Sequence, residues 1–132
     1  MDSHGSVGAK VRSHRDLLVW QKAMGLVDRV YDLAESFPAR EGYGLTSQIT
    51  RAVVSVPASI AEGQARSTAK DFANFLAIAR GSLMETETLL MVAVRRHYLS
   101  ETDAAPALLQ VTEISKMLTS LRRRIASRGR KA

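Results

Sequence analysis

Apolar residues recur three and four positions apart through most of this chain, which is the period of one face of an α-helix. The first such segment is expected to be capped by Asp16 and to run to about Ser36. It carries two stripes: Leu17, Trp20, Met24, Val27, Tyr31 and Ala34, and Val19, Ala23, Leu26, Val30, Leu33 and Phe37. Together they cover about 200° of the helix. A helix packed only inside a small bundle needs less, so the surplus predicts a second contact surface. Phe37-Pro38 stops this helix, and the next residues, AREGYG, read as a turn.

The second helix begins near Leu45, with Leu45, Ile49, Ala52, Val56 and Ile60 on one face. The stretch Tyr43–Gly63 is dense in small residues and contains Pro57. Proline removes one ladder donor and clashes with the preceding turn, so a kink is expected there. Gly63 reads as the helix end. Thr68 with Asp71 three residues on resembles a capping box and starts a third helix, expected to reach about His97. Its stripes are Phe72, Leu76, Ala79, Leu83, Leu90 and Val94, and Phe75, Ile78, Leu89 and Val92. Pro106 fits the first turn of a fourth helix starting near Asp103, with Ala107, Val111, Ile114, Leu118, Leu121 and Ile125 inward. Four helices joined by short turns predict an all-α, up-down-up-down antiparallel four-helix bundle with the second helix kinked at Pro57. The expected organisation is a mobile basic arm over 1–15, the bundle over 16–126 and a disordered basic tail over 127–132.

Composition agrees with a single domain of 132 residues with an aliphatic core, since aromatic residues make up only 5%. The absence of cysteine excludes disulfides and thiolate metal sites. No signal-peptide pattern and no run of the ~18 apolar residues that a membrane span needs is visible, so a cytoplasmic protein away from membranes is expected.

The net charge of +6 changes the picture once it is located. Residues 1–15 sum to +2 and residues 122–132 to +6, while 16–121 sum to −2. The positive excess therefore sits at the ends. Arg122, Arg123 and Arg124 extend the last helix, and a cluster of this kind is a phosphate-binding footprint. The competing explanations are solubility and complementarity with the helix dipole. No aromatic residue is interleaved, so contact without base stacking is expected.

Catalytic constellations are scarce. Three histidines are scattered, and neither HExxH nor a Glu-x-x-His pair occurs on a core helix. Ser67-Thr68-Ala69-Lys70 matches S-x-x-K, but a helix cap explains it better. No enzyme, cofactor or metal is expected. Two carboxylates draw notice. Glu85 reads as a rim residue paired with a basic side chain. Glu62 lies in the last turn of the second helix, against the dipole, and is expected to pair with Arg51 or Arg66 rather than to do chemistry.

Asp16-Leu17-Leu18-Val19-Trp20-Gln21-Lys22-Ala23, Tyr43-Gly44-Leu45-Thr46-Ser47-Gln48-Ile49, Arg51-Ala52, Ser55-Val56-Pro57-Ala58-Ser59-Ile60-Ala61-Glu62-Gly63 and Ala79-Arg80-Gly81-Ser82-Leu83-Met84-Glu85 together resemble the four-helix-bundle proteins encoded by 23S rRNA intervening sequences. The resemblance covers about residues 15–122, and the chain departs from the family pattern at Ser59 and Thr86. It implies a bacterial, cytoplasmic homopentamer of no established enzymatic activity. The chain is also similar to the accessory protein of diversity-generating retroelements, a pentamer that binds RNA and works with a reverse transcriptase. The expectation is therefore a non-catalytic oligomer that binds RNA or other nucleic acid electrostatically, through Arg51, Arg66 and Lys70 on the body and Arg122, Arg123 and Arg124 on the tail. Pro57, Glu62, Gly63 and Glu85 would be structural. A nucleic-acid-processing protein is a further expected partner. The alternative is a protein-interaction scaffold with no nucleic-acid role.

Overall fold

The computed structural model describes residues 13–131, without the side chains of Asp16, Arg130 and Lys131. The basic arm expected over 1–15 therefore lies outside the described residues except for 13–15. Four α-helices follow a 3₁₀ turn at His14–Asp16: α1 (Leu18–Ala34), α2 (Leu45–Gln64), α3 (Ala69–Arg95) and α4 (Glu101–Lys131). Each helix packs on its neighbours in a ring, α1 on α2 and α4 and α3 on α2 and α4, while the diagonal pairs stay apart. This is the expected up-down-up-down bundle. The periodic stripes meet on its axis, where Leu26, Ile49, Ile60, Leu76, Leu83, Leu90, Ile114 and Leu118 are fully buried.

Both α1 stripes are real, but only one is core. Val19, Ala23, Leu26 and Val30 are buried, whereas Met24 and Tyr31 are 40% and 48% exposed. Helix α1 takes Leu17, not Asp16, as its N-cap and has no side-chain cap. Helix α2 passes through buried Pro57 and stays helical to Gln64.

Gly63 is not the end of α2. It is the point of closest approach between α2 and α3: a Cβ there would lie 2.6 Å from Phe75 Cβ and 3.1 Å from Phe72 Cδ1. A real side chain cannot occupy that space, so the glycine is set by packing and the helix ends a residue later. Along the same seam Ser82 donates to Ser55 Oγ at 2.9 Å, and buried Thr86 donates to the Ser82 carbonyl at 2.9 Å. Ser59 is the other buried polar residue among those described. Small residues with internally satisfied hydroxyls let the two backbones come together here.

Thr68 caps α3 as its spacing predicts, accepting from the Asp71 N–H at 3.1 Å. Helix α3 ends at Arg95, earlier than expected, because His97 adopts φ 64°. The His97 N–H meets the Val94 carbonyl at 3.0 Å and the Tyr98 N–H meets the Ala93 carbonyl at 2.9 Å, a Schellman motif with histidine in the place glycine usually takes. Helix α4 starts at Glu101, not near Asp103, because Ser100 Oγ caps the Asp103 N–H at 3.0 Å. Pro106 thus sits beyond the first turn, where its ring removes a donor to the Thr102 carbonyl. At its other end α4 continues to Lys131, so the segment from Ser127 expected as a disordered tail is helical.

The α1–α2 connection carries a cap that the sequence does not advertise. After a 3₁₀ turn at Ala39–Glu41, the Glu41 carboxylate accepts the Leu45 N–H at 3.0 Å and the Tyr98 hydroxyl at 2.8 Å. Arg40 lies over the Tyr98 ring at 6.0 Å, and the Phe37 ring packs against the same ring with centroids 5.8 Å apart. The α1–α2 and α3–α4 connections are thereby tied at one end of the bundle. Those two hydrogen bonds, with smaller help from Arg40 and Arg96, hold the Glu41 carboxyl below its usual range against the opposing effect of burial.

Two predictions follow from these contacts. Gly63→Ala should destabilise by about 1–2 kcal/mol, overpacking outweighing the gain in helix propensity. Gly81→Ala, where a Cβ would meet nothing within 4 Å, should stabilise by about 0.5–1 kcal/mol. Urea unfolding of the two variants should therefore shift in opposite directions. The lowered Glu41 pKa means that its stabilisation is fully present above the ordinary carboxylate range and is lost as pH falls through the folded value. Glu41→Gln and Tyr98→Phe should each lower the unfolding midpoint at pH 7 and do so much less at pH 3.

Candidate nucleic-acid interface

The buried face of α4 near its C-terminus is defined by Leu121 and Ile125. At 100° per residue the three arginines between them cannot share a surface. Arg122 turns towards α3, where its Nε donates to the Ala73 carbonyl at 3.2 Å. It lines a cleft between α3 and α4 together with Arg80, and Arg123 lines an adjoining one with Arg80 and Lys116. Arg80 itself donates to Ser115 Oγ at 3.3 Å, across the same pair of helices. Arg124 projects the other way.

On that side the start of α1, the α2–α3 turn and α4 enclose a cleft of about 410 Å³, into which Arg66, Arg124 and Arg128 project. Arg66 is held in place by two contacts. Its Nη2 lies 3.0 Å from Glu62 Oε2, an i,i+4 pair, and its guanidinium sits 4.7 Å over the Phe75 ring. Between the two partners considered for Glu62 the structure selects Arg66. Thr68 and Ala69, at the start of α3, complete the wall. Among the described residues no Asp or Glu lines this cleft or either cleft between α3 and α4.

The structure thus brings Arg66 and Arg124 together, and sets Arg122 and Arg123 on a different side of α4. Lys70 lines a separate shallow cleft beside Ala126 and Gly129. Arg51 is exposed on α2 and borders none of these clefts. Glu85 is also exposed, and among the described residues it makes no ion pair, contrary to the rim pairing expected of it. An exposed pair contributes too little to hold two long side chains together, so nothing compels one there. Arg80, Lys116 and Arg128 join the basic surface without having been singled out. Clustering along the chain could not find Arg80, but the i,i+7 spacing of Lys116 and Arg123 on one helix face could have paired those two.

Among the described residues no group of three or more His, Asp or Glu side chains could hold a metal ion, and no helix is long and apolar enough to cross a membrane.

The fold has a solved counterpart. A crystal structure of a protein with unknown function from the S23 ribosomal protein family of Bacteroides thetaiotaomicron VPI-5482 is similar, with a TM-score of 0.72 and 27% identity, over 80% of this chain and 98% of that one. No curated protein matches. The pattern of the family described as 23S rRNA-intervening sequence protein matches residues 15–120, from the 3₁₀ turn before α1 to about three turns short of the end of α4. The chain belongs to the family of 23S rRNA-intervening sequence proteins.

Proposed function

We propose that this protein is a non-catalytic helical bundle that binds RNA or another nucleic acid through electrostatic contacts. The observation that carries this reading is the segregation of charge along α4. Its acids, Glu101, Asp103 and Glu113, lie in the first half, and Lys116, Arg122, Arg123, Arg124 and Arg128 in the second. The helix dipole favours this order, but its influence fades within the last turn. Arg122–Arg124 lie about two turns before the end of α4. They face clefts with no acidic residue among those described, where Arg66 joins Arg124 on one side of α4 and Arg80 joins Arg122 and Arg123 on the other, each from another part of the chain. Dipole complementarity explains neither feature. Arginine is also the side chain best suited to phosphate oxygens.

The protein would act in the cytoplasm as a homo-oligomer, for which the family resemblance implies a pentamer. Exposed Met24 and Tyr31 on α1 and Val54 on α2 supply apolar surface for self-association. The same surface supports the second reading, a protein-interaction scaffold whose basic residues serve solubility.

Binding of an RNA hairpin measured across a salt series separates the two readings. The nucleic-acid reading requires affinity that falls linearly with log salt, with a slope of about −0.7 to −0.9 for each phosphate neutralised. No binding at low salt leaves the scaffold reading. Light scattering checks the assembly independently, and a monomer at micromolar concentration would contradict the oligomer.

A further inference from the structure

We infer that the cleft between the start of α1, the α2–α3 turn and α4 is a built phosphate site, with Arg66, Arg124 and Arg128 as its ligands. This rests on the nucleic-acid reading for its source of phosphate and deepens it by separating one site from a general positive surface.

Three observations carry it. Arg124 and Arg128 are four residues apart on one helix, a like-charge arrangement that opposes helix stability, and neither makes an ion pair or hydrogen bond among the described residues. Arg66 arrives at the same cleft from a different part of the chain, adding a third positive charge where, among the described residues, no carboxylate lines the wall. Its guanidinium sits 4.7 Å over the Phe75 ring, which restricts it before any ligand arrives, while the half-exposed pair with Glu62 at 3.0 Å adds little. Three cations lining one cleft, only one of them partly balanced by a carboxylate, repel one another, and an anion held between them relieves that repulsion. A tetrahedral oxyanion satisfies that demand, because arginines approaching from two walls can donate to different oxygens of one group. The cleft between α3 and α4 lacks this preparation: Arg80 and Arg122 there already donate to Ser115 Oγ and the Ala73 carbonyl.

The chemistry is the same whether the phosphate belongs to a nucleic-acid backbone or is free, and the test has an arm for each. Two variants of equal charge are compared with the parent: Arg124→Gln/Arg128→Gln in the cleft and Arg122→Gln/Arg123→Gln outside it, with circular dichroism checking that each is folded. One arm follows thermal unfolding in inorganic phosphate against chloride at equal ionic strength. The other follows RNA-hairpin binding across a salt series. The cleft variant should lose the phosphate-specific rise in Tm, which the other variant keeps. It should also flatten the log–log salt slope by about 2 and lose more affinity than the other pair. A phosphate response equal in the parent and the cleft variant overturns the cleft. So does RNA binding that falls equally in both variants, which leaves the nucleic-acid reading standing on net charge alone. Absence of RNA binding by the parent, with the phosphate response lost only in the cleft variant, supports the cleft as a free-phosphate site and overturns the nucleic-acid reading instead.

Discussion

The close approach of α2 and α3 at Gly63 is the constraint from which the basic end of the bundle is built. With no side chain there, the α2 backbone lies against Phe72 and Phe75, and α3 can begin only a few residues later. That short connection forces Arg66 back over the Phe75 ring and within reach of Glu62. Thr68 then starts α3 beside α4, close enough that a Cβ on Gly129 would lie 3.0 Å from that of Ala69. Ser59 and Thr86 are the buried polar residues among those described. Thr86 settles its hydroxyl on its own helix, so its burial costs no unsatisfied group.

The opposite end is held by different means. There the Glu41 carboxylate caps α2 and takes the Tyr98 hydroxyl, and His97 in the left-handed region turns α3 into α4. Ser36 adds a bond to the Tyr98 carbonyl at 3.1 Å. One end is therefore closed by a partly buried tyrosine and a capping carboxylate, and the other is left open with arginines at its rim. The difference is chemical as well as structural: the closed end spends its polar groups on itself, and the open end keeps Arg124 and Arg128 unpaired.

What the sequence made legible was whatever depends on a single helix period. The main inward stripes of the four helices and the Thr68 cap are each decided within a few turns and are found as expected, whereas the second stripe of α3 leaves Ile78 and Val92 exposed. The ends of helices were harder. Gly63 looks like a stop because glycine often follows a helix, and only the position of Phe75 twelve residues on shows it to be a contact point. Glu41 as a cap depends on Tyr98, 57 positions away, so no local pattern announces it. The basic site failed in a third way. Arg122, Arg123 and Arg124 are one cluster in the chain but are spread around α4 by its 100° step, while Arg66 and Arg80 are distant in the chain and join the surface through packing. Clustering in sequence and clustering in space coincide for a charged loop and not for a charged helix.

The low net charge of the bundle does not weaken its basic end. Helix α4 has 31 residues, so its two halves are separated along an axis of about 46 Å. The Debye length at physiological salt is about 8 Å. Glu101 and Asp103 at the start of α4 are therefore screened from anything approaching Arg124 and Arg128, and cancel their charge in the total but not in the field. Glu62 is engaged with Arg66 at 3.0 Å. Under the proposed reading, a phosphate arriving there would be governed by that local arrangement of arginines rather than by the sum of +6 spread over the chain.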